Sequence, residues 1–186
     1  DTMKKVLTLI VLSLFVVSVS FAGTPTNKAI GFNGGLNGIS HRMLMDSGIG
    51  VEGILGLAYN APAGDTQDAA LNLNIGANVL KCLWETEAGS LSGNLNGFAG
   101  VGIAMVGSNI KDSDSVTNIT INVGLEPEIF LLDNLSVTTR MGLQILLNGD
   151  TLGADGKAAT DTGSTVFQTF GQGVSIVNGV SFNWYF

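Results

Sequence analysis

No internal disulfide can hold this chain together, because Cys82 is its only cysteine. Cys82 is also too far along the chain to be the lipid-modified first residue of a lipoprotein, and a small core filler is its expected role. His41 is the only histidine, which limits nucleophilic and general-base chemistry. Three prolines and 26 glycines argue against long helices. Beyond residue 22 there is no run of about 18 apolar residues, so helical membrane spans are excluded. Positive charge is scarce as well. Residues 23–186 carry six Lys and Arg (eight without Lys4 and Lys5) against fourteen Asp and Glu (fifteen without Asp1), a net charge of −8. That balance leaves no basic patch for nucleic acid.

What is present is hydrophobicity without apolar runs. Mean hydropathy is positive, so the apolar residues must be hidden in alternation, the pattern of barrel strands. The start of the chain is the exception and reads as a secretory leader. Lys4 and Lys5 precede an apolar stretch from Val6 to Val19, broken only by Thr8, Ser13 and Ser18. Ser20-Phe21-Ala22 places small residues where a signal peptidase reads them, which predicts cleavage after Ala22. Residues 1–22 are then a signal peptide, and residues 23–186 form one domain of 164 residues (186 minus 22).

Alternation across that domain predicts eight strands, over 29–36, 39–45, 49–59, 69–84, 91–107, 117–131, 135–148 and from within 165–174 to Phe186. In the fourth, Leu71, Leu73, Ile75, Ala77 and Val79 alternate with Asn72, Asn74, Gly76 and Asn78. In the last, Val180, Phe182, Trp184 and Phe186 share one face, while Ser181, Asn183 and Tyr185 share the other. Asn37-Gly38 is a two-residue hairpin signal between the first two strands. Without a turn there, 29–45 would be one long strand and 165–171 could supply an eighth. The second strand, at seven residues, is short for a bilayer crossing of about 9–11. Tight turns at 46–48 and 132–134 and a short connection at 85–90 alternate with longer polar connections at 60–68, 108–116 and 149–164. Short turns at one end and longer loops at the other is the plan of an outer-membrane barrel with both termini on the periplasmic side.

Turn geometry fixes the expected register. With Asp46-Ser47-Gly48 as a three-residue loop and Gly48 left-handed, Met45 pairs with Ile49, Met43 with Val51, and Arg42 with Glu52. With Leu132-Asp133-Asn134 as the loop and Asn134 left-handed, Leu131 pairs with Leu135, Ile129 with Val137, and Glu126 with Arg140. Arg42, Glu52, Glu126 and Arg140 then meet as ion pairs inside a barrel only wide enough for its own side chains. Two readings follow: static pairs that fill the bore, or a gate whose partners swap to pass ions.

Other chemistry is weakly marked. The same register sends His41 outward with Met43 and Met45, away from any Ser and acid partners. Glu126 and Glu128 share a face, but ion pairing with Arg140 accounts for them better than a hydrolytic carboxylate pair. Asp112, Asp114, Asp150, Asp155 and Asp161 sit in loops without the ligand density of a calcium site. Gly97 to Gly102 lacks the lysine and strand-to-helix context of a phosphate loop. No cofactor and no metal site is expected.

Three segments carry a family resemblance. Gly124-Leu125-Glu126-Pro127-Glu128-Ile129-Phe130-Leu131-Leu132-Asp133-Asn134-Leu135-Ser136 is similar to a Gly-x-Glu-x-x-Phe-x-x-Asp-Asn-x-Ser hairpin of the small outer-membrane β-barrel proteins of Gram-negative bacteria, the group that includes the OmpA transmembrane domain, OmpX and OmpW. Ser40-His41-Arg42 to Val51-Glu52 resembles an early Arg-containing hairpin of the same group. Phe182, Trp184 and Phe186 resemble the C-terminal signal read by the barrel-assembly machinery. The resemblance implies an all-β fold, an eight-stranded antiparallel transmembrane β-barrel in the outer membrane. It implies outer-membrane lipid and lipopolysaccharide as surroundings, the barrel-assembly machinery and periplasmic chaperones as biogenesis partners, and a monomer. The expected function is non-enzymatic: a structural, envelope-stability or surface-interaction role, with a narrow channel or carrier for ions or small hydrophobic solutes as the alternative.

Overall fold

The computed structural model describes residues 28–34, 36–61, 69–88, 91–108, 110, 112–153, 155–159, 162–170 and 180–186. The leader at 1–22 and its cleavage point lie outside the described residues. Ten strand segments occur: β1 Lys28–Asn33, β2 Gly38–Leu44, β3 Ile49–Asn60, β4 Ala70–Ala88, β5 Leu91–Val106, β6 Val116–Leu132, β7 Leu135–Thr139, β8 Met141–Asn148, β9 Ser164–Phe170 and β10 Val180–Tyr185. Each strand pairs antiparallel with its neighbours, β5 with β6 included, and β10 pairs with both β7 and β1. The ring therefore closes. Segments β7 and β8 are one strand interrupted at Arg140, and β9 and β10 together fill the eighth position, which gives an eight-stranded antiparallel closed barrel. No helix occurs among the described residues.

Alternation dictates the barrel's polarity. On β3, Gly50, Glu52, Ile54 and Gly56 are buried while Ile49, Val51 and Leu57 are exposed. On β10, Ser181, Asn183 and Tyr185 point in while Phe182 and Trp184 point out. Twelve polar or charged residues are buried among those described, against six hydrophobic ones, and 33 large hydrophobics are exposed. The wall is thus greasy outside and polar inside, the reverse of a water-soluble domain.

Most strand limits agree with the alternation to within a residue or two, and the departures have local causes. The first hairpin does not turn on Asn37-Gly38. Its strands close at Asn33 with Gly38, so 34–37 form a four-residue connection with Asn37 left-handed at φ 48°. Leu36 does not continue the outer face of Ile30 and Phe32 but enters the bore. Its Cδ1 lies 2.5 Å from where a Cβ on Gly76 would sit, and Asn74 Nδ2 donates to its carbonyl at 3.1 Å. Ile39 pairs with Leu55, so the hairpin stops where β3 still has five residues to run.

The fourth strand runs on to Ala88 through a bulge at Leu83, which puts Leu83 and Trp84 together on the outer face. Cys82 beside it is not a buried filler. It is half-exposed and free, with Sγ 3.6 Å from Glu85 Oε1. The 132–134 turn is tighter than expected: Leu132 pairs with Leu135 across Asp133-Asn134, and a bulge between Phe130 and Leu132 restores the Ile129–Val137 register. Asn134 is accordingly not left-handed. The closing strand is described in two segments. Gln168 and Phe170 face inward on β9, and Ser181 and Asn183 face inward on β10. Residues 171–179 between them lie outside those described.

Candidate functional site

The bore is filled at mid-height by five ionisable side chains delivered by strands that alternation aims inward. Asp46-Ser47-Gly48 is a three-residue loop with Gly48 at φ 71°, and it sets Arg42 directly opposite Glu52. Arg140 sits between the Thr138–Glu128 and Met141–Leu125 partners, which sets it opposite Glu126. Across the strands Arg42 Nη2 lies 3.3 Å from Glu52 Oε1, and Arg140 Nε donates to Glu126 Oε2 at 2.6 Å.

Closure of the barrel adds contacts that no hairpin register contains. Arg42 reaches across the bore to Glu126, with Nη1 2.9 Å from Oε1 and Nη2 3.2 Å from Oε2. Arg140 Nη2 donates to Glu52 Oε2 at 2.5 Å. Each guanidinium therefore bridges both carboxylates in a four-residue square. Glu128 joins at 3.7 Å from Arg42. It also accepts from Ser136 Oγ at 2.5 Å, Tyr185 Oη at 2.7 Å and Asn96 Nδ2 at 3.4 Å. Asn78 Nδ2 donates to Glu52 at 2.7 Å. Arg42 and the three glutamates are 0–1% exposed at their side chains, and Arg140 is 14% exposed.

Two cations against three carboxylates leave a formal charge of −1 in a region with little room for water. Burial of such charges is costly unless they are paired and hydrogen-bonded. The four donors Asn78, Ser136, Tyr185 and Asn96 serve Glu52 and Glu128. Glu126 Oε1 and Arg42 Nη1 meet only as an ion pair, and Arg42 Nε has no hydrogen-bond partner among the described residues. The Phe98 ring covers Arg140 at 4.8 Å from its centroid, and Phe170 meets Phe98 edge-on at 6.0 Å. The charge layer is thus roofed by an aromatic pair. Sequence patterning marks Arg42, Glu52, Glu126 and Arg140; it does not mark Glu128, Tyr185, Asn96 or Phe98 as their partners. Their inward parity is visible in the sequence, but which inward groups share a level depends on how the barrel closes.

The remaining candidates lie elsewhere. His41 is half-buried on β2, facing the same outer side as Met43, away from the charge layer. Phe182, Trp184 and Phe186 form an exposed stripe on the outer wall, each about half exposed. Phe186 N donates to Lys28 O at 2.9 Å, so the last residue is tied to the first described strand. Among the described residues no group of His, Cys, Asp and Glu is arranged to hold a metal ion. Comparison with protein families, with curated proteins and with solved structures gave no match.

Proposed function

We propose that this chain is an integral outer-membrane β-barrel of a Gram-negative bacterium, similar to the OmpA, OmpX and OmpW group, with a non-enzymatic structural, envelope-stability or surface-interaction role. The observation that carries this reading is the inverted wall: among the described residues, 33 large hydrophobics are exposed around a closed ring with a charged, hydrogen-bonded interior. Exposed apolar area on that scale needs lipid around it. Closure pairs β10 with both β7 and β1, so the turn-end half of the ring has no open seam. Strands β3 to β6, of 12 to 19 residues, exceed the crossing length of about 9–11. Strands β1 and β2 fall short of it, and their connecting turn leans into the bore instead.

Outer-membrane lipid and lipopolysaccharide are the proposed surroundings. The barrel-assembly machinery and periplasmic chaperones are the proposed biogenesis partners, with the Phe182, Trp184 and Phe186 stripe as the assembly signal. A narrow channel or carrier remains the alternative, but a square of ion pairs roofed by Phe98 favours a closed bore. Fractionation followed by gel electrophoresis tests location and closure together. The protein should partition with outer membranes and migrate faster unheated than boiled. Migration unaffected by heating, or recovery in the soluble fraction, would reject the reading. Planar-bilayer recordings with discrete, reproducible openings would move it to the channel alternative. A His41→Ala variant that lost an otherwise measurable lipid turnover would contradict the non-enzymatic assignment.

A further inference from the structure

The alternation of buried and exposed residues along β4 stops at Cys82, and all six residues that follow, Leu83 to Ala88, are exposed. The cause is a difference in strand length. β3 leaves β4 at the Ile49–Lys81 pair, and Cys82 N donates to Gly48 O at 2.9 Å as the last backbone bond on that side among the described residues. On its other side β4 stays paired with β5, from Trp84 with Leu95 to Ala88 with Leu91. The β4–β5 hairpin therefore runs on past the 46–48 turn as an arm. Its Leu83–Ala88 edge meets no further strand among the described residues.

A free strand edge presents backbone N–H and C=O groups that a second extended chain can bond. Bulges and charges are the usual protection of such edges. Here the bulge at Leu83 sits at the root of the arm, so the edge from Trp84 to Ala88 keeps an unbroken register with β5. The charges have one sign. Glu85 and Glu87 share the face of Asn94 and Ser92, their partners on β5, while Trp84, Thr86 and Ala88 share the other. Trp84 is 62% exposed. Among the described residues no Lys or Arg stands within ion-pair distance of Glu85 or Glu87. The neighbouring Lys81 instead donates to Ser47 O at 2.7 Å, and Glu85 receives only Cys82 Sγ at 3.6 Å.

We propose that the Trp84–Ala88 edge takes up an extended segment of a partner protein in which Lys or Arg alternates with apolar residues. The main-chain ladder gives such a segment its affinity, and the two faces of the arm read its sequence. Basic side chains directly opposite Glu85 and Glu87 are attracted, and apolar ones on the other face meet Trp84 and Thr86. The same pattern disfavours a second copy of this chain. Antiparallel pairing of two arms about Thr86 sets Glu85 against Glu87, like charge on like charge. The inference needs the closed barrel with its long hairpin but not insertion in a membrane, so it stands or falls separately from the location proposed above. Under that location the partner is periplasmic.

The test is a titration of the full chain, refolded in detergent and shown to be heat-modifiable, with the capped peptide Lys-Val-Lys-Val-Lys-Val. Backbone hydrogen exchange is the readout. Saturable binding that slows exchange of the Trp84–Ala88 amides, and leaves β6 and β8 unchanged, is expected. The block peptide Lys-Lys-Lys-Val-Val-Val loses the alternation, and a fully N-methylated Lys-Val peptide loses the ladder; each should bind at least about tenfold more weakly. Glu-Val-Glu-Val-Glu-Val should also bind the unaltered chain at least about tenfold more weakly, and the double variant E85K/E87K should reverse that order. Equal binding of the block or N-methylated peptide, plain charge attraction only, would overturn the proposal. So would the absence of saturable binding. A dimer whose Trp84–Ala88 amides exchange slowly without peptide would overturn it too, by making the edge a contact between copies of this chain.

Discussion

Replacing Arg42 with Met removes the most enclosed cation among the described residues. Its side chain is 1% exposed and meets Glu52 at 3.3 Å, Glu126 at 2.9 Å and Glu128 at 3.7 Å. The layer then falls from two cations and three carboxylates to one and three, a formal change from −1 to −2. Methionine keeps most of the volume, so little packing is lost. Breaking a buried pair from one side costs about 3–5 kcal/mol, because the surviving charge is left without compensation. Glu126→Gln moves the layer the other way, to two cations and two carboxylates, and keeps an acceptor oxygen toward Arg140. Its cost should be about 1–3 kcal/mol, the range for a weakened hydrogen bond to a charged group. The double variant R42M/E126Q restores the formal charge to −1. It should therefore cost less than the sum of the single changes, by about 1–3 kcal/mol of coupling. Urea unfolding in lipid vesicles, read by Trp84 and Trp184 fluorescence and by heat-modifiable migration, gives all four corners of the cycle. Losses that add within about 0.5 kcal/mol would show that the cross-bore contact carries no coupling. A Glu126→Gln loss larger than that of Arg42→Met would refute the charge argument itself.

Gly76→Val should dislodge Leu36, whose Cδ1 occupies the place of the new Cβ at 2.5 Å, and destabilise the barrel by about 1–3 kcal/mol. Faster hydrogen exchange in the 34–37 connection than in β3 is the signature; unchanged exchange there would mean that Leu36 does not depend on its glycine seat. Phe186→Asp should lower outer-membrane yield far more than deletion of 155–159, since it puts a carboxylate into the exposed apolar stripe of Phe182, Trp184 and Phe186 whereas Lys157 is an exposed loop residue. Equal yields from the two variants would remove Phe186 from the assembly signal. Envelope-extracted protein should begin at Gly23; N-terminal sequencing that starts before Thr8 would contradict the leader assignment.

The alternation of Leu71 to Val79 and of Val180 to Phe186 determined strand character and face, because a strand's side chains alternate whatever it packs against. The 46–48 turn determined a register, because a short loop with one left-handed glycine leaves few ways to pair its flanks. Facing positions of hairpin partners, Arg42 with Glu52 and Glu126 with Arg140, are local consequences of that kind. The first hairpin defeated the same reasoning. Asn37-Gly38 is a good turn signal, but Leu36 sits in a glycine seat at Gly76 and Gly102, and that seat is built by strands far along the chain. The bulges at Leu83 and near Leu131 were hidden for a similar reason, since a slip in one strand is decided by its partner. The square itself belongs to the tertiary structure alone. Contacts between Arg42 and Glu126, and between Arg140 and Glu52, separated by 84 and 88 residues, exist only once the ring closes and sets which inward side chains share a level.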